Sequence, residues 1–245
     1  MLIFVIVGFF AQLIDGALGM AYGVSSTTFL LYAGVPTVIA SASVHMAEVF
    51  TTLVSGISHL SFNNIDRKLL QKLLIPGVLG GIVGAYLLTN ISTKVIKPFI
   101  NGYLVIMGII IVVKVFKTSN SQVFSNSKAW LLGLTGGFFD AIGGGGWGPI
   151  VTSSLVAAGQ PPRFVVGTVN VAEFFVTVAQ VTTFVTILGL KQHWKAVAGL
   201  ALGGMLAAPL AAFGCKKIAP RVLMFLVGAL IIFLNIKSLI TFFLN

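Results

Sequence analysis

The chain has 245 residues, of which 57% are hydrophobic and only 8% charged, and its mean hydropathy is +1.06. An ordinary soluble domain carries roughly 25% charged residues, so there is too little polar surface here to coat a soluble fold. The 15 Lys and Arg outnumber the 5 Asp and Glu for a net charge of +10, but they fall between long apolar runs, where they read as loop charges facing lipid headgroups and the cytoplasm.

Residues 1 to 34 form a nearly uncharged run, interrupted by DGALGMAYG from Asp15 to Gly23. Its opening, MLIFVIVGFF, lacks the basic segment and small-residue cleavage site of a signal peptide and is read as part of the mature protein. One helix over the whole run would be about 51 Å long, whereas Met1 to Ile14 alone would reach only about 21 Å. The glycines lower helix propensity where such a helix would have to continue. Two short helices joined by irregular backbone within the membrane are therefore expected, an arrangement tolerated only where protein or a water-filled cavity satisfies the exposed polar groups. A hydrocarbon core of roughly 30 Å needs about 20 apolar residues, and Thr37 to Leu60, Leu69 to Thr89 and Val95 to Val115 each supply such a run. A polar stretch from Lys117 to Lys128 reads as the linker between two halves. Residues 129 to 159 repeat the broken pattern, with DAIGGGGWGP from Asp140 to Pro149, and the spans Phe164 to Leu188, Trp194 to Phe213 and Val222 to Leu244 follow. The lone cysteine, Cys215, excludes an internal disulfide and a cysteine metal cluster, and reads as an apolar packing residue.

Shifting the sequence by 125 residues aligns the two broken runs and the helix after each. Asp15 falls on Asp140, Gly19 on Gly144, Tyr22 on Trp147, Gly23 on Gly148, Thr27 on Thr152 and Glu48 on Glu173. Leu, Val and Ala would match by chance in an apolar chain, but two Asp and two Glu from a total of 5 acids would not. The expected organisation is an all-α polytopic membrane protein of two homologous halves, residues 1–117 and 129–245, joined by a polar loop at 118–128. Each half holds a Gly-broken helix pair or hairpin followed by three transmembrane helices. Such repeats mark secondary transporters, whose site lies near the midplane between discontinuous helices. If each broken run crosses once, the bases divide 9 to 6 between the two sides of the membrane. If each turns back, the halves are inverted and the division is 10 to 5, with Arg67, Lys68, Lys72, Lys114, Lys117, Lys128, Arg163, Lys216, Lys217 and Arg221 on the cytoplasmic side. The second obeys the positive-inside tendency better, and the reading favours inversion.

The string GFFDAIGGGGWGPIVTSSL from Gly137 to Leu155, with its weaker copy in residues 8 to 30, resembles the glycine-rich signature of the TauE/SafE family of sulfite exporters. The first copy departs from it, reading GALGMAYGV without the glycine run or the proline. The resemblance covers the whole chain and implies transport of a small sulfur-containing anion such as sulfite or a sulfonate. No enzyme activity, cofactor or resident metal is expected. No HExxH, Walker or nucleophile-elbow pattern is present either.

The residues of the two breaks suit an anion on their own chemistry. Gly143, Gly144, Gly145 and Gly146 allow a tight turn that exposes N–H groups, and Pro149 suits the first turn of a following helix. A helix starting near Trp147 and Gly148 would point its positive end into the cavity, with Trp147 as a wall. Thr152, Ser153 and Ser154, and in the first half Ser25, Ser26, Thr27 and Thr28 beside Gly19, Tyr22 and Gly23, offer hydroxyl donors. The competing structural reading, tight helix packing by small residues, is the more frequent role for any single Ser or Thr. Four acids lie inside apolar runs, where an ionised side chain costs roughly 2.5 to 3.5 kcal/mol. Asp15, Asp140, Glu48 and Glu173 are therefore candidates for coupling proton movement to transport, unless the two Asp merely cap the helices that follow. His45 stands three residues before Glu48, on the same helical face, and Asn170 takes the equivalent place before Glu173. Trp130 and Trp194, at the ends of apolar runs, read as interfacial residues. The leading expectation is a multi-pass cell-membrane transporter for a small sulfur-containing anion, proton-coupled, with the bilayer as its partner. The alternative is a cation transporter or channel using the same carboxylates for Na⁺ or H⁺.

Overall fold

A computed structural model describes residues 1–114, 126–189, 193–214 and 221–244. Cys215 and most of the predicted linker, residues 118–125, lie outside them. The described residues are helical, with no β-strand among them. The first predicted break is real. Helix α1 (Leu2–Leu18) stops at Gly19, which adopts φ 67°, and α2 (Tyr22–Tyr32) restarts three residues later. Phe4 and Phe29 meet edge to face at 5.9 Å, so α2 folds back along α1 as a hairpin. Helices α3 (Thr37–Ser61), α4 (Arg67–Asn90) and α5 (Thr93–Lys114) follow. Asp66 starts α4 cleanly, because its side chain accepts the N–H groups of Lys68 at 2.9 Å and Leu69 at 3.2 Å.

The second half opens with α6 (Asn126–Gly143), a π-helical turn at Gly148–Thr152 and the short α7 (Ser153–Ala157). The bare backbone of Gly136 lies against Val151 and Trp147, so this pair folds back as well. Helices α8 (Pro162–Leu188), α9 (Trp194–Gly214) and α10 (Arg221–Leu244) complete the chain. Five of these helices, α3, α4, α5, α8 and α9, carry stretches of 20 to 27 residues apolar enough to cross a membrane. Leu, Ile and Phe on their outer faces are exposed, among them Ile75, Phe99, Phe175 and Leu206, as lipid-facing helices require.

The packing exchanges elements between the halves. Helix α1 runs beside α9 in the same direction, Gly8 facing Leu200 and Gly16 facing Ala211, and α6 runs likewise beside α4, Gly133 facing Leu73 and Gly84 facing Phe138. The broken pair of each half thus leans on the middle long helix of the other. At the centre, α3 and α8 run in opposite directions, with Ser55 bonded to Asn170 at 2.7 Å and His45 packed on Phe184 at 5.9 Å. At one end Arg163 at the start of α8 donates to the Phe62 carbonyl after α3 at 2.8 Å and to Asn64. At the other end the His193 N–H donates to Ser43 at 2.9 Å.

Candidate functional site

The two breaks face each other inside the bundle. Thr27 Oγ1 donates a hydrogen bond to the Gly144 carbonyl, and its repeat equivalent Thr152 lies against Gly19. Gly23 sits on Gly145 and the Glu48 carboxylate, while Gly148 sits on Gly19 and Met20. A side chain at Gly145 would strike the backbone of Gly23 and Val24, and its φ of 150° is one that L residues rarely adopt. These glycines therefore let two backbones touch where any larger residue would hold them apart.

Each break is tied by its aspartate. Asp140 Oδ1 accepts the N–H groups of Gly146 at 2.8 Å and Trp147 at 3.0 Å, and Asp15 Oδ1 accepts that of Tyr22 at 3.4 Å. The capping role weighed against proton coupling for the pair is thus physically present. Asp140 has a second function, because its Oδ2 meets Gln180 Nε2 at 2.9 Å and His45 Nε2 at 3.2 Å. His45 Nδ1 lies 2.7 Å from the Ser41 carbonyl. The Ser41 hydroxyl also lies 3.3 Å from Nδ1, so the ring bridges Ser41 on one side and the buried Asp140 carboxylate on the other. Glu48 Oε2 lies 3.9 Å from His45 Nε2 and has no other polar partner among the described residues. Together His45, Glu48 and Asp140 bring one donor atom each within 4.8 Å of the others, and all three are buried.

Other buried polar atoms nearby lack partners among the described residues. They are both amide atoms of Gln12 and the hydroxyls of Ser26, Thr152 and Ser153. An unsatisfied buried polar group costs about 1 to 3 kcal/mol, so this lining suits a polar ligand or water and not a dry core.

Several predicted site residues also have packing or hydrogen-bond partners of their own. Gly143 and Gly146 pack against Tyr103, whose hydroxyl donates to the Gly145 carbonyl at 3.2 Å. Trp147 is fully buried in a core cluster with Leu73 and Val176, its indole N–H donating to Val169 O at 3.2 Å. Ser154 is exposed and Thr28 is bonded to Asn235 at 3.0 Å. Asn170 bonds Ser55 and the Val166 carbonyl, while Glu173 is buried within electrostatic reach of Asp15, Glu48 and Asp140. Gln12, Gln180 and Tyr103 escaped the sequence reading. A glutamine within an apolar run carries the same signal as an acid there, and both amides were legible on that ground.

Long apolar helices that enclose two mid-bundle helix breaks, with buried titratable side chains gathered at the breaks, make this a multi-pass membrane transporter. The family described as Sulfite exporter TauE/SafE matches residues 4–238, and the chain belongs to that family. It is 42% identical over 248 aligned residues to the "Probable membrane transporter protein YtnM" of Bacillus subtilis (strain 168), covering 98% of this chain and 83% of that one. No solved structure matches it.

Proposed function

We propose that the chain is a secondary transporter that moves a small sulfur-containing anion across the cytoplasmic membrane, coupled to protons, through two inverted repeats. The carrying observation is the His45–Asp140 contact at the point where the two breaks meet, which sets a titratable ring 3.2 Å from a buried carboxylate and so supports a proton path there. Glu48 extends that proton path towards Gly23, on the opposite break. The unpaired hydroxyls of Ser26, Thr152 and Ser153 and the backbone of the breaks supply the donors an oxyanion needs. The family's description names sulfite, which supports a sulfur oxyanion. The opposed directions of α3 and α8, repeat partners by sequence, support inversion. In this reading Asp15, Asn170 and Glu173 form the second, weaker half of the machinery, with an amide where the first half has a titratable ring.

The test is sulfite flux in proteoliposomes under an imposed pH gradient. The expected result is flux driven by the gradient in the parent chain and insensitive to it in His45→Gln and Glu48→Gln. Flux indifferent to the gradient in the parent chain would remove proton coupling. The gathering of three donor atoms within 4.8 Å also favours a second reading, transport of a small cation. Ligand-dependent thermal unfolding separates the two, because stabilisation by sulfite supports the first and stabilisation by Na⁺ alone supports the second.

A further inference from the structure

At the end of the bundle away from Asp66, the last turn of α2, the start of α5 and the end of α10 enclose an open pocket of about 630 Å³. Lys94, Lys97 and Lys237 all line it, and no acidic side chain does. Lys237 Nζ is held 3.3 Å from the Tyr32 hydroxyl and 5.2 Å from the centre of its ring. Lys94 and Lys97 are three residues apart, hence on one face of α5, within its opening turns. That is the positive end of a helix, where cations are unfavourable and acids are preferred, and α5 has no acid in its first turn. Three cations thus share one pocket against both mutual repulsion and the helix dipole. The chain offers no carboxylate side chain to relieve them: Asp15, Glu48, Asp140 and Glu173 are buried at the breaks, and Asp66 caps α4 at the opposite end. One turn along α5 from Lys97, Asn101 is fully buried and its amide N–H donates at 3.0 Å to Ser238, a lining residue. Three lysines with no carboxylate among the lining residues suit a ligand with an acidic centre.

We propose that the Lys94–Lys97–Lys237 pocket is an oxyanion-binding site for a phosphate or sulfonate group, carried either by a phospholipid headgroup or by a free anion. The site is separate from the breaks and does not rest on the transport reading.

The test is thermal unfolding of the purified full chain, titrated with phosphatidylglycerol against phosphatidylcholine, and with sodium phosphate or methanesulfonate against chloride at equal ionic strength. The variant Lys94→Gln/Lys97→Gln/Lys237→Gln is compared with a charge-matched control at the other end, Arg67→Gln/Lys68→Gln/Lys72→Gln. A second variant, Lys94→Gln/Lys97→Gln, serves if the triple one does not fold. The expected result is stabilisation by phosphatidylglycerol that weakens at least about tenfold in the pocket variants and is retained in the control. Stabilisation by phosphatidylglycerol alone assigns the site to a lipid, and stabilisation by the free anions as well assigns it to a soluble oxyanion. Equal responses from the pocket variants and the control, or no response from the parent chain to either anion class, would overturn the proposal.

Discussion

Each oxygen of the Asp140 carboxylate is used twice, Oδ1 by the N–H groups of Gly146 and Trp147 and Oδ2 by Gln180 and His45. Its repeat partner Asp15 accepts a single long bond, from Tyr22. The two substitutions are therefore expected to differ. Asp140→Ala leaves His45 and two backbone donors unpaired in the interior, which costs about 3 to 5 kcal/mol, whereas Asp15→Ala costs about 1 kcal/mol. Thermal unfolding of the two variants side by side checks the order, and equal losses would contradict it. Ala21 makes an opposite case. It holds φ 109° at the first break, where the second half has Gly146. Ala21→Gly is expected to stabilise the chain by about 1 kcal/mol, since such a backbone is strained for any residue with a Cβ, and a lowered unfolding temperature would refute the strain. The acids themselves were legible as intruders in apolar runs, and their pairing across 125 residues made the repeat visible. The partnership of His45 with Asp140 was not, because it joins positions 95 apart that no helical spacing relates. Sequence pointed instead to His45 with Glu48, which the structure keeps only as the longer contact of 3.9 Å.

The helix breaks were legible as elements, because an apolar run of 34 residues is too long for one crossing and its glycines fall in the middle. What the pattern left open was how the pieces lie. The Phe4–Phe29 contact gives a hairpin in the first half, and a π-helical turn replaces part of the expected helix after Trp147. The glycines of the breaks differ in how much they matter, and their surroundings say which. Gly145→Ala would drive a methyl group into the backbone of Gly23 and Val24 and is expected to separate the breaks and abolish transport. Gly34→Ala also meets a positive φ, 84°, but nothing lies within 4 Å of the added carbon. Its cost is expected to stay near the roughly 1 to 2 kcal/mol of the left-handed backbone alone, with flux retained. Sulfite flux and unfolding temperature measured on both variants test the contrast, which equal flux in the two would contradict.

Across the whole molecule, each half lends its broken pair to the middle helix of the other, so neither half packs its own hairpin fully. Charge counting alone distinguished the two topologies only as 10 to 5 against 9 to 6. Cysteines placed at Asn90 and Asn120 in a Cys215→Ser background are expected to react from opposite faces of the membrane, and labelling from one face would contradict the alternation assumed here. The exchange of elements also fixes what can move. Helices α3 and α8 cross at the centre, and their ends are fastened unequally. On the Arg163 side a guanidinium reaches Phe62, Asn63 and Asn64 after α3, whereas on the His193 side a single serine hydroxyl accepts one N–H. A swing of one half about that crossing must release the stronger fastening before the Arg163 end can part. The Arg163 end is thereby expected to part last. Arg163→Ala is expected to shift the population, speeding thiol labelling of a cysteine at His59, which is buried just inside that end. An unchanged labelling rate would show that the clasp sets no barrier, and that the asymmetry between the two mouths of the transporter has another origin.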